Sequence, residues 1–270
     1  MPELPEVETT VAGLRPVLQG HRLTVVEPRR ADLRWPFPAD LRQRMTGAKV
    51  TALGRRAKYG LIETDRNDVM IFHLGMSGRW RIDPQEIEKH DHLILETDQG
   101  QRLALNDPRR FGSVDLVTKD ELGCYKPFVS MGPEPLSAEF DGSYLKAVTR
   151  ERKAPIKQLL LDQRTVAGLG NIYVCEALHM SGISPGKKGG RISKPKYELL
   201  VEAVKEVLTA AIAAGGSSLR DFVQPDGELG YFAKEWLVYG REGEKCHCGA
   251  VIKRRVDSGR STFYCSQCQK

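Results

Sequence analysis

The chain has 270 residues, of which 40% are hydrophobic, with 41 Lys and Arg against 35 Asp and Glu, a formal net charge of +6 and a pI near 9.0. That length predicts two domains with real cores, and the lack of an apolar run near ~20 residues or of a secretory signal argues against a membrane span and for the cytoplasm. The basic excess, with seven Lys/Arg against three Asp/Glu in the last thirty residues, points to a polyanionic partner.

The chain opens Met1-Pro2-Glu3-Leu4-Pro5-Glu6-Val7-Glu8-Thr9. A small residue after Met1 invites its removal, which leaves Pro2 as the terminus. A free prolyl nitrogen is a secondary amine. An α-amino pKa of about 7.7–8.0 leaves part of it uncharged and nucleophilic near neutral pH. Attack on a sugar carbon would give an iminium that is cationic without an added proton, and Glu3 is placed to move protons. With Met1 attached, the same nitrogen is an amide and inert. The residues also suit a plain helix start, with Pro in the first turn and Glu near the positive end of the dipole. Val7, Val11, Leu14 and Leu18 then repeat at helical spacing and predict a helix over Glu3–Leu18.

From Arg22 to Val117, short β runs alternate with turns. Strands are expected at 23–27, 49–53, 59–64, 69–74, 93–97, 102–105 and 113–117, in an antiparallel sandwich or flattened barrel. Arg55-Arg56-Ala57-Lys58-Tyr59-Gly60 is a basic cluster before a strand. His73-Leu74-Gly75-Met76-Ser77-Gly78 presents Met76 between glycines, as a core residue or as a wedge that refills a base stack. Asn106-Asp107-Pro108-Arg109-Arg110-Phe111-Gly112 is a rigid turn whose tip carries guanidinium groups for a base edge and a ring for wedging. Lys89-His90-Asp91-His92 reads as surface histidines or as a metal pair.

Gly132–Gly142 is rich in breakers and forms a linker between a β region, 1–131, and a helical region, 143–235. Helices are expected over Ser143–Val148, Pro155–Leu161, Asn171–Met180 and Lys194–Ala214, with Arg150, Arg152, Lys153 and Lys157 forming a basic face. Gly168-Leu169-Gly170-Asn171 is a Gly-x-Gly turn opening onto a helix, able to aim N–H groups at a phosphate or simply to cap. Cys175 is expected in the core. Gly215–Phe222, with two Gly and two Ser, reads as a mobile loop. In the last segment, 236–270, Cys246-His247-Cys248 and Cys265-Ser266-Gln267-Cys268 enclose a hairpin. Four soft thiolates suit one tetrahedral structural Zn²⁺. The first pair is one residue short of C-x-x-C, so His247 in place of Cys246 is the alternative ligand.

These motifs, in this order and across essentially the whole chain, resemble the formamidopyrimidine-DNA glycosylases. The resemblance implies an α+β protein: an N-terminal β-sandwich with an N-terminal helix, a helix–two-turn–helix domain and a zinc-ribbon hairpin. It implies a monomeric, bifunctional base-excision-repair glycosylase and AP lyase, working at the nucleoid. Its substrate would be double-stranded DNA bearing oxidised purines (8-oxoguanine, formamidopyrimidines) or abasic sites. On that resemblance Pro2 is the nucleophile, Glu3 its acid–base partner and Lys58 the catalytic lysine that aids elimination and holds a phosphate. Arg260 is the hairpin arginine that contacts the flanking phosphates and assists the second elimination. Met76, Arg109 and Phe111 fill the void left by the flipped nucleotide, with Arg109 facing the orphaned cytosine. His90, Arg152 and Asn171 contact DNA. Cys246, Cys248, Cys265 and Cys268 hold one structural zinc, although the family's usual first knuckle is C-x-x-C. The Gly215–Phe222 loop closes over the extruded purine. Two other readings compete. A sister enzyme of the endonuclease VIII type would prefer oxidised pyrimidines, but Leu4 and the Met76/Arg109/Phe111 set favour purines. A non-catalytic zinc-ribbon DNA-binding protein would leave the Pro-Glu terminus and Lys58 unexplained.

Overall fold

The structure, a computed structural model, describes residues 2–217, 225 and 232–270. The chain forms two compact units. One runs from the N-terminus to Val129 and takes in Ile212–Ala233; the other comprises Ser130–Ala211 and Lys234–Lys270.

The first unit begins with α1 (Leu4–Leu18), where Pro5 sits in the first turn and needs no hydrogen-bonded N–H. Val7, Val11, Leu14 and Leu18 are all at most 1% exposed, so the apolar stripe read from the spacing is the buried face. Eight strands follow: β1 (Leu23–Pro28), β2 (Val50–Arg56), β3 (Tyr59–Thr64), β4 (Asp68–His73), β5 (Arg79–Ile82), β6 (Asp91–Thr97), β7 (Arg102–Asn106) and β8 (Ser113–Thr118), with a short α2 (Leu41–Met45) between β1 and β2. They make two antiparallel sheets, β1-β6-β7-β5 and β2-β3-β4-β8. Side chains of both, among them Trp80, Leu95 and Leu103 from the first and Ile62, Met70 and Phe72 from the second, share one core with α1. This is the expected sandwich. β4 is buried along nearly its whole length because its outer face is covered too. There Val69 and Ile71 pack with Tyr125 and Phe128, on the segment that ends in α3 (Lys126–Val129).

β5 was not among the expected strands. Two arginines in Arg79-Trp80-Arg81-Ile82 mask a short edge strand whose one deep anchor is Trp80, packed edge-on against Phe72 at 5.6 Å.

The second unit contains α4 (Gly142–Thr149), α5 (Ile156–Leu161), α6 (Asn171–Met180), most of α7 (Lys194–Ala213) and the hairpin β9 (Lys253–Asp257) and β10 (Arg260–Tyr264). Asp141 caps α4 by accepting the Tyr144 N–H at 2.6 Å. The stripe Leu200, Val204, Leu208 and Ala211 of α7 is fully buried. Glu176 of α6 is also buried and accepts the backbone N–H groups of Leu237, Val238 and Tyr239 at 2.7, 3.0 and 2.8 Å. Burial raises its carboxyl pKa while those three donors act against the rise. The segment leading to the hairpin is thereby tied to α6. Cys175 joins Val238, Ile252 and Phe263 in a small core around Cys246 and Cys265, as its expected core placement requires. Among the described residues, no helix is long and apolar enough to cross a membrane.

Candidate active site and metal centre

Pro2 and Glu3 are buried at the start of α1. The Glu3 backbone N–H donates to Glu6 Oε2 at 2.8 Å, and the other Glu6 oxygen accepts the Ser217 N–H at 2.8 Å. Glu6, by its position only a residue of the first helical turn, thus joins the terminal turn to the start of the Gly215–Phe222 loop. Gly216 there has φ +82°, and a Cβ would lie 3.3 Å from the Glu6 side chain. Met1 and Ser218–Phe222 lie outside the described residues, so the closing-loop expectation falls mostly there.

Lys58 is the second residue of the two-residue turn between β2 and β3. Ala57 before it is fully buried with φ 52°. Arg55 fixes this turn: its Nη1 donates to the Ala57 carbonyl at 2.8 Å, and its Nε meets Glu8 Oε2 at 2.7 Å. The helix bearing Pro2 and Glu3 is therefore pinned to the hairpin bearing Lys58. His73 lies opposite Tyr59 in the β3–β4 ladder, with the rings 4.7 Å apart. Burial, reinforced by the Lys58 and Arg34 charges, pushes the His73 pKa down to about 4. Its neutral Nδ1 accepts the Gly75 N–H at 3.0 Å. The sequence placed His73 near the end of the expected strand 69–74 and at the start of a loop; strand register, not spacing, brings it to Lys58.

The two loops expected to fill a DNA void are interlocked. Gly75 has φ +62°, and a Cβ there would fall 2.3 Å from the Phe111 carbonyl carbon, so only glycine fits. Asp107, 1% exposed, holds both loops. Its Oδ1 accepts the Ser77 hydroxyl at 2.6 Å, and its Oδ2 accepts the Gly112 N–H at 2.8 Å. Ser77 Oγ in turn accepts the Arg109 N–H at 3.2 Å. Met76 is half-buried, whereas Arg109 and Phe111 project, with the guanidinium 5.0 Å from the centre of the Phe111 ring. Half-buried His90 braces the same loop: its carbonyl accepts the Asp107 N–H at 3.0 Å, and the adjacent His92 Nε2 bonds the Asp107 carbonyl at 3.0 Å. Met76, Arg109, Phe111 and His90 thus belong to one assembly, and Asp107 is the member that the sequence reading missed.

In the second unit, Asn171 opens α6, and its Nδ2 donates to the Ser261 carbonyl at 2.8 Å, beside Arg260. Lys157 Nζ reaches the same carbonyl at 3.0 Å and Thr262 Oγ1 at 2.7 Å. Arg260 is exposed at the start of β10, after Ser258 and Gly259 turn the chain at φ 49° and 75°. Arg152 is exposed and lies 3.7 Å from Asp162.

The four cysteine sulfurs lie within 4.8 Å of one another, with Cys246–Cys268 at 3.8 Å and Cys248–Cys265 at 3.5 Å. Two Zn–S bonds of about 2.3 Å at a tetrahedral angle put sulfurs about 3.8 Å apart, so the donor set fits zinc. A second group, His179, Cys246, His247 and Cys268, meets the same distance limit. Its His179 comes from α6, 67 residues before Cys246, and was invisible to reasoning from cysteine spacing.

Three family models match in chain order: the formamidopyrimidine-DNA glycosylase N-terminal domain over residues 1–114, the H2TH domain of the same glycosylase over 131–223, and the zinc finger found in FPG and IleRS over 243–270. Among curated relatives, the formamidopyrimidine-DNA glycosylases of Rhizorhabdus wittichii and Sphingopyxis alaskensis are 71% and 64% identical, each covering all of both chains. The chain belongs to the formamidopyrimidine-DNA glycosylase family. Two solved formamidopyrimidine-DNA glycosylases have the same fold. A Lactococcus lactis FPG mutant, solved with a Fapy-dG-containing DNA, matches with TM-score 0.92 at 35% identity over all of both chains. The MutM (FPG) protein of Thermus thermophilus matches with TM-score 0.90 at 37% identity, covering 99% of this chain and 98% of its own. The zinc-finger match and the fit of the four sulfurs together assign one structural zinc to Cys246, Cys248, Cys265 and Cys268, despite the short first knuckle. With four protein ligands the metal supplies folding energy to the hairpin and has no open position for activating water.

Proposed function

We infer that the protein is a bifunctional DNA glycosylase and AP lyase for oxidised purines, 8-oxoguanine and formamidopyrimidines, with Pro2 as its nucleophile. The observation that carries the reading is the N-terminal turn: Pro2 and Glu3 are buried at the head of a helix that Glu8 and Arg55 tie to the Lys58 turn. Once Met1 is removed, the prolyl nitrogen bonds to C1′ and the C1′–base bond breaks, the base leaving with a proton. Opening of the sugar ring yields the iminium, whose pull on electrons acidifies C2′. Loss of that proton breaks the C3′–O bond, and a second elimination breaks the C5′–O bond, leaving a one-nucleotide gap. Glu3 serves the proton transfers and Lys58 aids elimination while holding a phosphate. Arg260 binds the flanking phosphates during the second elimination. His90, Arg152 and Asn171 hold the DNA. Asn171 does so with a side chain that also supports the Ser261 backbone beside Arg260.

Extrusion of the damaged nucleotide costs a few kcal/mol in lost stacking. Met76 and Phe111 refill the gap and Arg109 meets the orphaned cytosine. Such a mechanism needs these three side chains held on one rigid support, and Asp107 provides it. The substrate class places the work at the nucleoid, in the cytoplasm. The rival pyrimidine-specific enzyme and the non-catalytic binding protein both fit less well with relatives that are formamidopyrimidine-DNA glycosylases over the whole chain.

Borohydride trapping on an 8-oxoguanine·cytosine duplex, followed by mass mapping of the cross-link, tests the reading. The expected product is one adduct on Pro2. An adduct on Lys58 would move the nucleophile. Duplex binding by a processed N-terminus with no adduct would remove the lyase chemistry, and stronger excision of thymine glycol than of 8-oxoguanine would reassign the substrate.

A further inference from the structure

The two knuckles of the zinc finger are not equivalent. Cys265 and Cys268 close a C-x-x-C knuckle, whereas Cys246 and Cys248 close a C-x-C knuckle with one residue fewer between the sulfurs. N–H donors stabilise a thiolate held away from water, and groups outside the ligand shell commonly set metal affinity. Cys246 is the buried sulfur of the shorter knuckle.

Helix α6 delivers a side chain to that sulfur. His179 stands in its last turn, 4% exposed, with Nε2 3.4 Å from Cys246 Sγ. The other ring nitrogen, Nδ1, is buried and has no hydrogen-bond partner among the described residues. A proton on Nδ1 would strand a buried donor and aim the Nε2 lone pair at a thiolate. A proton on Nε2 places the N–H on the sulfur and leaves only a lone pair unmatched. The position is also mechanically firm, since Glu176, three residues earlier on α6, grips the segment leading into the finger. His247 differs: it is exposed, with Nδ1 3.6 Å from Cys246 Sγ and Nε2 3.9 Å from Cys268 Sγ, where water can take its place.

We propose that His179 Nε2–H donates a hydrogen bond to the Cys246 thiolate of the zinc centre. His179 is then a positioning residue outside a four-thiolate shell. The proposal rests on the four-cysteine zinc assignment, and the test separates the two. The full-length protein is prepared with zinc and, by exchange, with cobalt. A His179→Phe variant fills the same space without an N–H; His179→Gln restores one; His247→Gln serves as control. The expected result is zinc release to a chromogenic chelator about tenfold faster in His179→Phe, the lower end of effects seen for outer-shell partners of metal ligands. His179→Gln and His247→Gln should remain close to the unaltered protein. Iodoacetamide should also label Cys246 faster in His179→Phe, with no change at Cys265, because the lost bond exposes one sulfur's charge. Equal zinc release from His179→Phe and the unaltered protein would overturn the proposal, as would a His179→Gln variant that behaves like His179→Phe. Cobalt bands showing a nitrogen ligand that disappears in His179→Phe would make His179 a ligand, and the four-thiolate assignment would fall with it. Ring ¹⁵N shifts of the unaltered protein give an answer even if a variant fails to fold: the proton belongs on Nε2, and finding it on Nδ1 would end the idea.

Discussion

Phe111 and Asp107 show how stability and function separate at the level of single residues. Phe111 is 45% exposed and contributes little to the folded state. Phe111→Ala should leave the urea midpoint within about 0.5 kcal/mol of the original, as for other surface changes. Excision of 8-oxoguanine should nonetheless fall sharply, because nothing would refill the unstacked step. Asp107 is the reverse case. Asp107→Asn sets an amide N–H₂ against either the Ser77 hydroxyl or the Gly112 N–H, so a buried donor goes unmatched. A loss of about 1–3 kcal/mol in urea unfolding should follow, with excision falling as well. Loss of excision without loss of stability in Asp107→Asn would show that the carboxylate acts on the substrate and not on the loops. The placing of Met76 and Phe111 on loops was legible in the sequence because its signal is local, glycines beside an apolar side chain, whereas their proposed void-filling role comes from the family resemblance. Asp107 and Glu6 were not legible, because each takes its meaning from a distant partner, Ser77 for one and Ser217 for the other. No pattern in the chain announces such pairings.

Among the elements, legibility followed the strength of the periodic signal. α1 and α7 each carry a long apolar pattern, and α6 follows a Gly-x-Gly turn that marks its start; the structure begins and ends all three within one residue of the expected spans. β5 failed because its two arginines outweigh one tryptophan, and α2 because five residues carry too little period to read. The β3–β4 ladder adds a property that no strand pattern reveals, since register places His73 beside Lys58. An unfolded histidine takes up a proton near pH 6.5, whereas buried His73 resists until about 4. The unfolded state therefore binds more protons across that window. His73 adds stability above pH 6.5 that is lost as the pH falls toward 4, at up to about 1.4 kcal/mol per pH unit. His73→Asn keeps an acceptor near the Gly75 N–H but cannot titrate. Urea midpoints of the two proteins should converge between pH 7 and pH 5, the unaltered protein losing more. A constant gap would mean that His73 takes up its proton at the same pH folded and unfolded, and a gap that widens as the pH falls would mean that the fold already holds it charged at pH 7.

For the molecule as a whole, the metal and the charge act on different quantities. Binding of a structural zinc is worth about 10–16 kcal/mol, on the scale of a whole domain's stability, so chelation should unfold the finger. The first unit has its own core and should keep its fold. Hydrogen exchange after chelation should lose protection at β9, β10 and the 237–239 amides that Glu176 holds, while β3 and β4 remain protected. Protection lost equally in β3 and β4 would mean that the two units unfold as one. Affinity for DNA depends instead on which cations reach phosphates, and the net charge of +6 does not count them. Lys58 and Arg260 are the cations proposed above for phosphates, and Arg152 is the further cation proposed to hold the DNA. Each displaced counterion contributes about −0.9 to the slope of log K against log salt, so three contacts predict a slope near −2.7 on duplex DNA. Arg152 enters that count although it faces Asp162, because Asp162 keeps Arg164 at 2.8 Å when Arg152 turns to a phosphate. The exchange leaves no stranded carboxylate. On a duplex with a tetrahydrofuran abasic analogue, Arg260→Gln and Arg152→Gln should each flatten the slope by about 0.9. A slope unchanged in Arg260→Gln would take the hairpin arginine off the phosphates, and with it the proposed help in the second elimination.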